Sequence, residues 1–249
     1  KRILKFILTG NIKQIQSILF GWEKNLLGIG SIISLGNKHS IVWGSGFLNE
    51  KHVFKGGTIC AVRGKYTDQK LRKDGFCSTS IYGDPALLIP LFVSPSIIKT
   101  TEIAIIPHWS ETDYFIKKYG NQYKIIDLRT NDIKKVISDI TSSHRVLSTS
   151  LHGIIVSHAY GIPALWIKHN TLHESNFKFY DYFSSVGIKE YEGFINIDEI
   201  LSSEQNLLHV FNNNQERALP NVDIKTIQKA LLSVAPFNIT KEILAQFDL

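Results

Sequence analysis

The sequence predicts an α/β protein made of two doubly wound parallel-sheet units. Three observations predict it: short β-branched and apolar runs alternate with helix-length stretches, the runs end in Gly or Pro, and the connections are a few residues long. The 249 residues, 43% hydrophobic, suffice for one large domain or two modest ones with cores of their own.

Taken in order, a first helix-like segment lies near Lys13 and Glu23, whose charges argue against a signal peptide. Strands are expected over residues 40–43, 58–62, 81–82 and 102–106, with a helix over 65–74 among them. The second half alternates more clearly: helix 111–119, strand 124–128, helix 132–142, strand 145–147, helix 151–160 and strand 164–167. This rhythm is that of a Rossmann-like domain, and two such domains facing a cleft follow from the pattern, residues 1–97 and 98–249, with the boundary among the prolines and small polar residues near 95–100. In open α/β sheets ligands sit beyond the carboxyl ends of the strands, so the residues just after each strand are the first candidates for a site.

The formal charge of +6 favours anionic partners. The 28 basic residues are scattered, without an arginine-rich arm or zinc-finger spacing, which argues against nucleic acid as the partner. Cys60 and Cys77 have no metal-like spacing and read as buried thiols in a reducing cytoplasm. No apolar stretch reaches the ~20 residues that cross a bilayer. The chain starts at Lys1 and contains no Met, which predicts a product longer at its N-terminus.

The strand ends hold an unusual set. Gly44-Ser45-Gly46 would let a backbone approach a ligand and offer N–H groups to an anion, or be a plain tight turn. Arg63, followed by Gly64, is placed to reach inward with a guanidinium fork suited to carboxylate or phosphate, or to form a surface ion pair. Asp84, between Gly83 and Pro85, suits fixing its own loop better than catalysis. His108 follows Pro107 at a strand end. In Ser148-Thr149-Ser150-Leu151-His152-Gly153 three hydroxyl residues could cap a helix whose N-terminal partial charge suits phosphate or carboxylate, and His152 at that end would either stay near neutral pKa and trade protons or be a buried structural histidine with one hydrogen bond. His158 lies on another face of the same helix and reads as a core or interface residue. In the aromatic segment from Phe177 to Phe183, rings could stack on a sugar face while the polar tips of Lys178, Tyr180 and Asp181 bond its hydroxyls, but Phe179 and Phe183 fit the core face of an ordinary helix.

Together these segments resemble the polysaccharide pyruvyl transferases. The matching stretches are Ile41-Val42-Trp43-Gly44-Ser45-Gly46-Phe47, Ala61-Val62-Arg63-Gly64, Tyr82-Gly83-Asp84-Pro85-Ala86, Ile105-Ile106-Pro107-His108 and Ser150-Leu151-His152-Gly153-Ile154-Ile155, the last continued by His158-Ala159-Tyr160-Gly161-Ile162-Pro163. They run in family order from about residue 28 to 188. The resemblance implies a glycosyltransferase-B-like fold, phosphoenolpyruvate as donor substrate with no cofactor, and a hexose of a surface polysaccharide as acceptor, on which a cyclic pyruvate ketal forms. It implies that Arg63 and the segment around His152 hold the donor, with Gly44, Ser45, Gly46, Asp84, His108, Ser150, Leu151, Gly153 and Lys178 as further substrate-binding positions. Family members often carry Arg immediately before the Leu-His pair, where this chain has Ser150; Lys178, Arg145 or Lys168 are the cations available to replace it.

The chemistry this implies begins with protonation of the methylene carbon of the donor, for which His152 is the acid. A sugar hydroxyl then attacks the adjacent carbon, a neighbouring hydroxyl closes the ring, and phosphate leaves, stabilised by the anion-binding groups. No metal is expected to be essential. The expected location is the cytoplasm, including the inner face of the membrane where a lipid-linked acceptor would lie. Two rival readings remain: a nucleotide-sugar glycosyltransferase of the same fold, for which no acidic residue is clearly placed to hold a ribose, and a glycan-binding protein whose catalytic set has decayed, of which Ser150 would be a symptom.

Overall fold

The computed structural model describes residues 24–77, 79–96, 98–169 and 175–249, so the helix-like segment expected near Lys13 and Glu23 lies outside the described residues. The first sheet has three parallel strands, β1 (Leu26–Leu27), β2 (Ile41–Trp43) and β3 (Thr58–Ala61), in the order β1-β2-β3. Residues 81–82 add only a bridge, Tyr82 pairing with Val62 just past β3. Helix α1 (Lys65–Lys73) follows, with Asp68 in its first turn and Lys70, Arg72 and Lys73 in its last, charges that oppose the helix dipole at each end. Next comes a 3₁₀ helix, Pro85–Leu91, with Asp84 as its cap and Pro90, which lacks an N–H, inside it.

The second sheet is wholly parallel, in the order β5-β4-β6-β7, from β4 (Thr101–Ile106), β5 (Lys124–Ile125), β6 (Ser143–Ser148) and β7 (Ala164–Trp166). Between them run α2 (Thr112–Tyr119), α3 (Ile133–Thr141) and α4 (Leu151–Ala159). Side chains on these strands alternate between two cores, as a sheet covered on both faces requires. Ala104, Ile106, Val146, Ala164 and Trp166 face Val136, Ile137 and Ile140 of α3 and Ile154 and Ile155 of α4. Ile103, Ile105, Leu147 and Leu165 face Phe115 of α2 and, farther along the chain, Ile200, Leu207 and Phe211. The expected α/β class with parallel sheets is therefore the observed one.

The remainder is helical: α5 (Phe177–Val186), α6 (Ile197–Ile200), α7 (Glu204–Asn212), α8 (Gln215–Ala218), α9 (Ile224–Ser233) and α10 (Lys241–Ala245). Helix α9 returns to the first half of the chain, where the Trp43 indole N–H donates to the Leu231 carbonyl at 2.9 Å and the Gln228 amide donates to Leu87 O at 2.7 Å. Trp43 and Ala61 consequently share one core with the α3–α4 face of the second sheet. Of the two cysteines, Cys60 is half-buried on β3 and Cys77 is exposed just beyond the turn that ends α1, so the expectation of two buried thiols is corrected. No helix among the described residues is long and apolar enough to cross a membrane.

Candidate functional site

The second sheet fixes where a site can form. From β4 the chain passes outward to β5 and then back across to β6 on the other side, so the strand order reverses between β4 and β6 and leaves a crevice at their carboxyl ends. Pro107 and His108 leave β4 at that point, and residues 148–150 leave β6. A hydrogen bond from the His108 amide to Thr149 Oγ1, 2.7 Å, spans the crevice. Helix α4 starts there and sits close to the sheet: a Cβ on Gly153 would fall 2.4 Å from Ser148 Oγ and 2.9 Å from Ile106 Cγ2. Glycine at this position lets the helix start, and with it His152, press against the strand ends.

The hydroxyls of this turn do not cap the helix as expected. Ser148 Oγ bonds the Ile106 and Ser150 carbonyls, Thr149 Oγ1 donates to Glu111 Oε2 at 2.5 Å, and Ser150, the N-cap, makes no side-chain capping bond. They fasten β6 to β4 instead, and the first turn of α4 is left without a side-chain acceptor.

His152 Nε2 is buried with no hydrogen-bond partner, and it points at Asp84 Oδ2, 3.8 Å away. Burial, reinforced by the charges of Arg63, Lys178 and His108, pushes the imidazole down to about 3. This corrects the expectation of a near-neutral pKa: desolvation is the largest cause of the shift, and at neutral pH His152 is uncharged. Asp84 is fully buried and accepts from the Ala86 amide at 2.9 Å and the Gly30 amide at 3.4 Å. It thus fixes its own loop, as expected, but burial also pushes its carboxyl up to about 6, against the pull of those amides and of Arg63.

Arg63 does reach inward from the end of β3, and the carboxylate it finds is the protein's own. Its Nε donates to Asp181 Oδ2 at 2.9 Å, Nη1 to Ser31 Oγ at 2.5 Å and Nη2 to the Phe47 carbonyl at 2.6 Å. Asp181, from α5, also takes the Thr67 amide and hydroxyl, both at 2.7 Å. Two of the motif glycines make room for this pair. A Cβ on Gly46 would lie 2.6 Å from the guanidinium carbon, and one on Gly64 would lie 1.7 Å from the Asp181 carbonyl oxygen.

The Gly44-Ser45-Gly46 turn is correspondingly structural. The amides of Gly44 and Gly46 donate to the carbonyls of Ala61 and Gly30, so the expected N–H groups are already engaged. Gly44 adopts a left-handed φ of +90° against Pro85, where its Cβ would lie 2.3 Å from the proline ring. Buried Ser45 ties the turn down through its hydroxyl, which donates to Gly30 O and accepts from Ile32 N.

Of the three cations considered in place of the missing arginine, Lys178 is the one whose charge acts on His152; it is buried on α5, 5.3 Å from the centre of the Phe179 ring. Arg145 points elsewhere, to Glu102 and over the Phe211 ring, and Lys168 is bonded to Asn176 and Glu192. Leu151 is a core residue, as are Phe179 and Phe183; Phe179 stacks on Trp166 at 4.0 Å. His158 is a buried structural histidine between the Tyr182 hydroxyl and the Ala218 carbonyl. The sequence offered Asp181 only as a contact to sugar hydroxyls and gave no role to Tyr182, Ser31 or Glu111. Asp181 sits in an aromatic run as its one carboxylate, a signal that could have marked it as buried and paired.

The structure therefore brings Arg63, Asp84, His108, His152, Lys178 and Asp181 into one electrostatically coupled group where the two sheets end. Two relatives among known proteins share part of this chain. It is 34% identical over 175 residues, 65% of its length, to the protein L143 of Acanthamoeba polyphaga mimivirus, and 28% identical over 183 residues, 67% of its length, to the succinoglycan biosynthesis protein ExoV of Rhizobium meliloti. The chain spans 60% and 55% of the lengths of these two relatives. No solved structure matches it. The family description of the polysaccharide pyruvyl transferases matches residues 14–171, a stretch that holds each of these groups except Lys178 and Asp181. By that match, which covers more than half of its residues, the chain belongs to the polysaccharide pyruvyl transferase family.

Proposed function

We propose that the protein transfers the enolpyruvyl unit of phosphoenolpyruvate to a hexose of a surface polysaccharide, closing a pyruvate ketal on two of its hydroxyls. The observation that carries the reading is His152: a half-buried, uncharged imidazole with a buried, unpartnered Nε2, set among Arg63 and Lys178 at the crevice of a parallel sheet in a chain of this family. Desolvation is the larger reason the imidazole stays uncharged, and the neighbouring charges of Arg63, Lys178 and His108, which add to it, are ones an anionic donor would offset. Donor binding would then lift the electrostatic part of the penalty on the imidazolium and favour His152 as the acid for the methylene carbon when it is needed. The uncapped first turn of α4, with Ser150 at its cap, offers backbone N–H groups to one anionic end of the donor, and Lys178 supplies the charge that an arginine gives in other members.

On this reading the two sheets are the halves of a glycosyltransferase-B-like cleft, the acceptor is a glycan that a lipid carrier would bring to the inner face of the membrane, and the reaction takes place in the cytoplasm. A nucleotide-sugar donor is the rival. The test is to incubate the protein with phosphoenolpyruvate and a panel of glycans and look for a product heavier by pyruvate less water. Transfer from a nucleotide sugar, with none from phosphoenolpyruvate, overturns the proposal.

A further inference from the structure

The Asp84–His152 approach is more than a neighbour contact. Asp84 Oδ1 takes the short bond from the Ala86 amide, while Oδ2 has only the long 3.4 Å bond from Gly30 and is the oxygen nearest His152 Nε2. The imidazole keeps 17% of its side-chain surface exposed although Nε2 has none. One nitrogen thus faces an interior carboxyl, and the exposed part of the ring is away from it. We propose that Asp84 is the proton partner of His152, its carboxyl holding the exchangeable proton before the donor binds and passing it to Nε2 while Nδ1–H protonates the methylene carbon of the donor. The inference rests on the reading of His152 as the acid.

The surroundings favour this placement of the proton. Arg63 from the end of β3, His108 from the end of β4 and Lys178 from α5 all oppose a further positive charge on His152. Asp84 sees Arg63, the negative Asp181 and the buried Tyr182 from α5, and is itself cut off from water. A neutral carboxyl beside a neutral imidazole is the arrangement a buried pair of this kind adopts below pH ~6, and it keeps one proton in reserve. In the step itself the Oδ2–H bond breaks as Nε2–H forms, and the Nδ1–H bond breaks as the new C–H bond forms from the enol π pair. The donor becomes a cation and Asp84 a carboxylate, so no net charge is created. The acceptor O–H then adds to the cationic carbon and returns its proton through the imidazole to Asp84. Asp84 acts through His152 and is a positioning residue.

The experiment follows the ring ¹⁵N signals of His152 in the ligand-free protein from pH 4.5 to 8, assigned with His152→Gln. The expected result is a small step centred near pH 6 while the ring remains neutral, retained in His108→Gln and Asp84→Glu and abolished in Asp84→Asn. Asn keeps an oxygen for the Ala86 amide, and the wild-type titration decides even where that variant folds poorly. Signals flat through this range, or a step that survives Asp84→Asn, overturn the pairing. In turnover, Asp84→Asn should lose 10-fold to 100-fold in kcat with donor KM within about threefold, and its pH profile should lack the limb near 6. An unchanged profile overturns the proposal. A wild-type protein that turns over no phosphoenolpyruvate sinks the proposed function instead, and leaves the titration to judge the pair by itself.

Discussion

Arg63 and Asp181, 118 positions apart in the chain, form an ion pair from which water is excluded on both sides. The pair joins the end of β3 to α5, and the flanking Ser31, Phe47 and Thr67 complete its hydrogen bonds. Because a buried charge that loses its partner keeps its desolvation cost, Asp181→Asn should lower stability by about 3–5 kcal/mol, read as a drop in the urea midpoint with little change in slope. A loss under ~1 kcal/mol would show that Arg63 finds water or another partner. Arg63→Lys keeps the charge but cannot reach Asp181, Ser31 and Phe47 together, so it should be destabilised as well as weakened in donor use; a variant of wild-type stability that fails only in donor binding would put the guanidinium on the donor directly.

Gly64→Ala should be among the most damaging single substitutions. The added methyl would occupy the place of the Asp181 carbonyl, a backbone atom that no rotamer change can move. Exposure of α5 to proteolysis, or failure to accumulate as folded protein, is the expected outcome. Gly75→Ala, whose added methyl meets nothing within 4 Å, should cost only the strain of its left-handed φ of +85° and serves as the control.

Much of this was legible in the sequence. The alternation of runs and glycine-ended loops located β2 to β7 to within a few residues, because strands buried on both faces must be apolar throughout and their helices must follow at once. Two-residue β1 carries too little pattern to be read as a strand, and the strand expected at 81–82 shrinks to the single bridge at Tyr82. The site was legible as a list of positions and not as contacts. Asp84 could be seen to fix its loop, but its approach to His152 depends on how the first half of the chain meets the second, which local spacing does not encode. The same holds for Arg63, whose partner is supplied by α5, and for the desolvation that lowers the pKa of His152. Of the two readings of Gly44-Ser45-Gly46, the tight turn is the one seen, because the carbonyls of Ala61 and Gly30 that take the Gly44 and Gly46 amides come from separate segments, which spacing alone does not bring together.

Acid should unfold the protein partly through His158. Its neutral ring accepts from the Tyr182 hydroxyl at Nδ1 and donates from Nε2 to the Ala218 carbonyl, and burial pushes its pKa down to about 4. A folded-state value below the unfolded one means that the unfolded chain binds more protons, so stability is fully present above pH ~6.5 and is lost as pH falls toward 4. The loss from this group is on the order of 3 kcal/mol at the acid end. His158→Gln should be less stable than wild type at pH 7 and should lose less on going to pH 4.5, measured by urea denaturation at the two values. Equal acid losses in the two proteins would remove His158 from the account.

Phosphoenolpyruvate should raise the thermal midpoint, since a ligand that binds only the native state stabilises it by mass action. Lys178→Met fills the same space among Phe179 and its neighbours without the charge, and should keep the fold while reducing the donor-induced shift by at least half. A full shift in the variant would return the anion-binding role to Arg63 or to the α4 N-terminus, and a shift given by nucleotide sugars alone would favour the rival donor.

His152→Gln is the sharpest test of the proposed chemistry. Glutamine can occupy the space beside Asp84 and offer a hydrogen bond, but an amide cannot deliver a proton to carbon, so what it removes is the transfer step and not the shape of the site. General acid loss typically costs 10²-fold to 10⁴-fold in rate, far more than one binding contact would take from turnover at saturation. The expected result is donor binding within about threefold of wild type, by calorimetry, with kcat reduced at least 100-fold. The same substitution removes a group whose pKa is pushed down to about 3, and with it an acid sensitivity of the fold, so the variant should lose less stability than wild type between pH 6.5 and 4.5. That second readout requires no substrate and reports whether the imidazole is as desolvated as its surroundings imply. Near-normal turnover in His152→Gln would leave the residue a positioning role only and pass the acid to His108, whose backbone amide already bridges the crevice to Thr149.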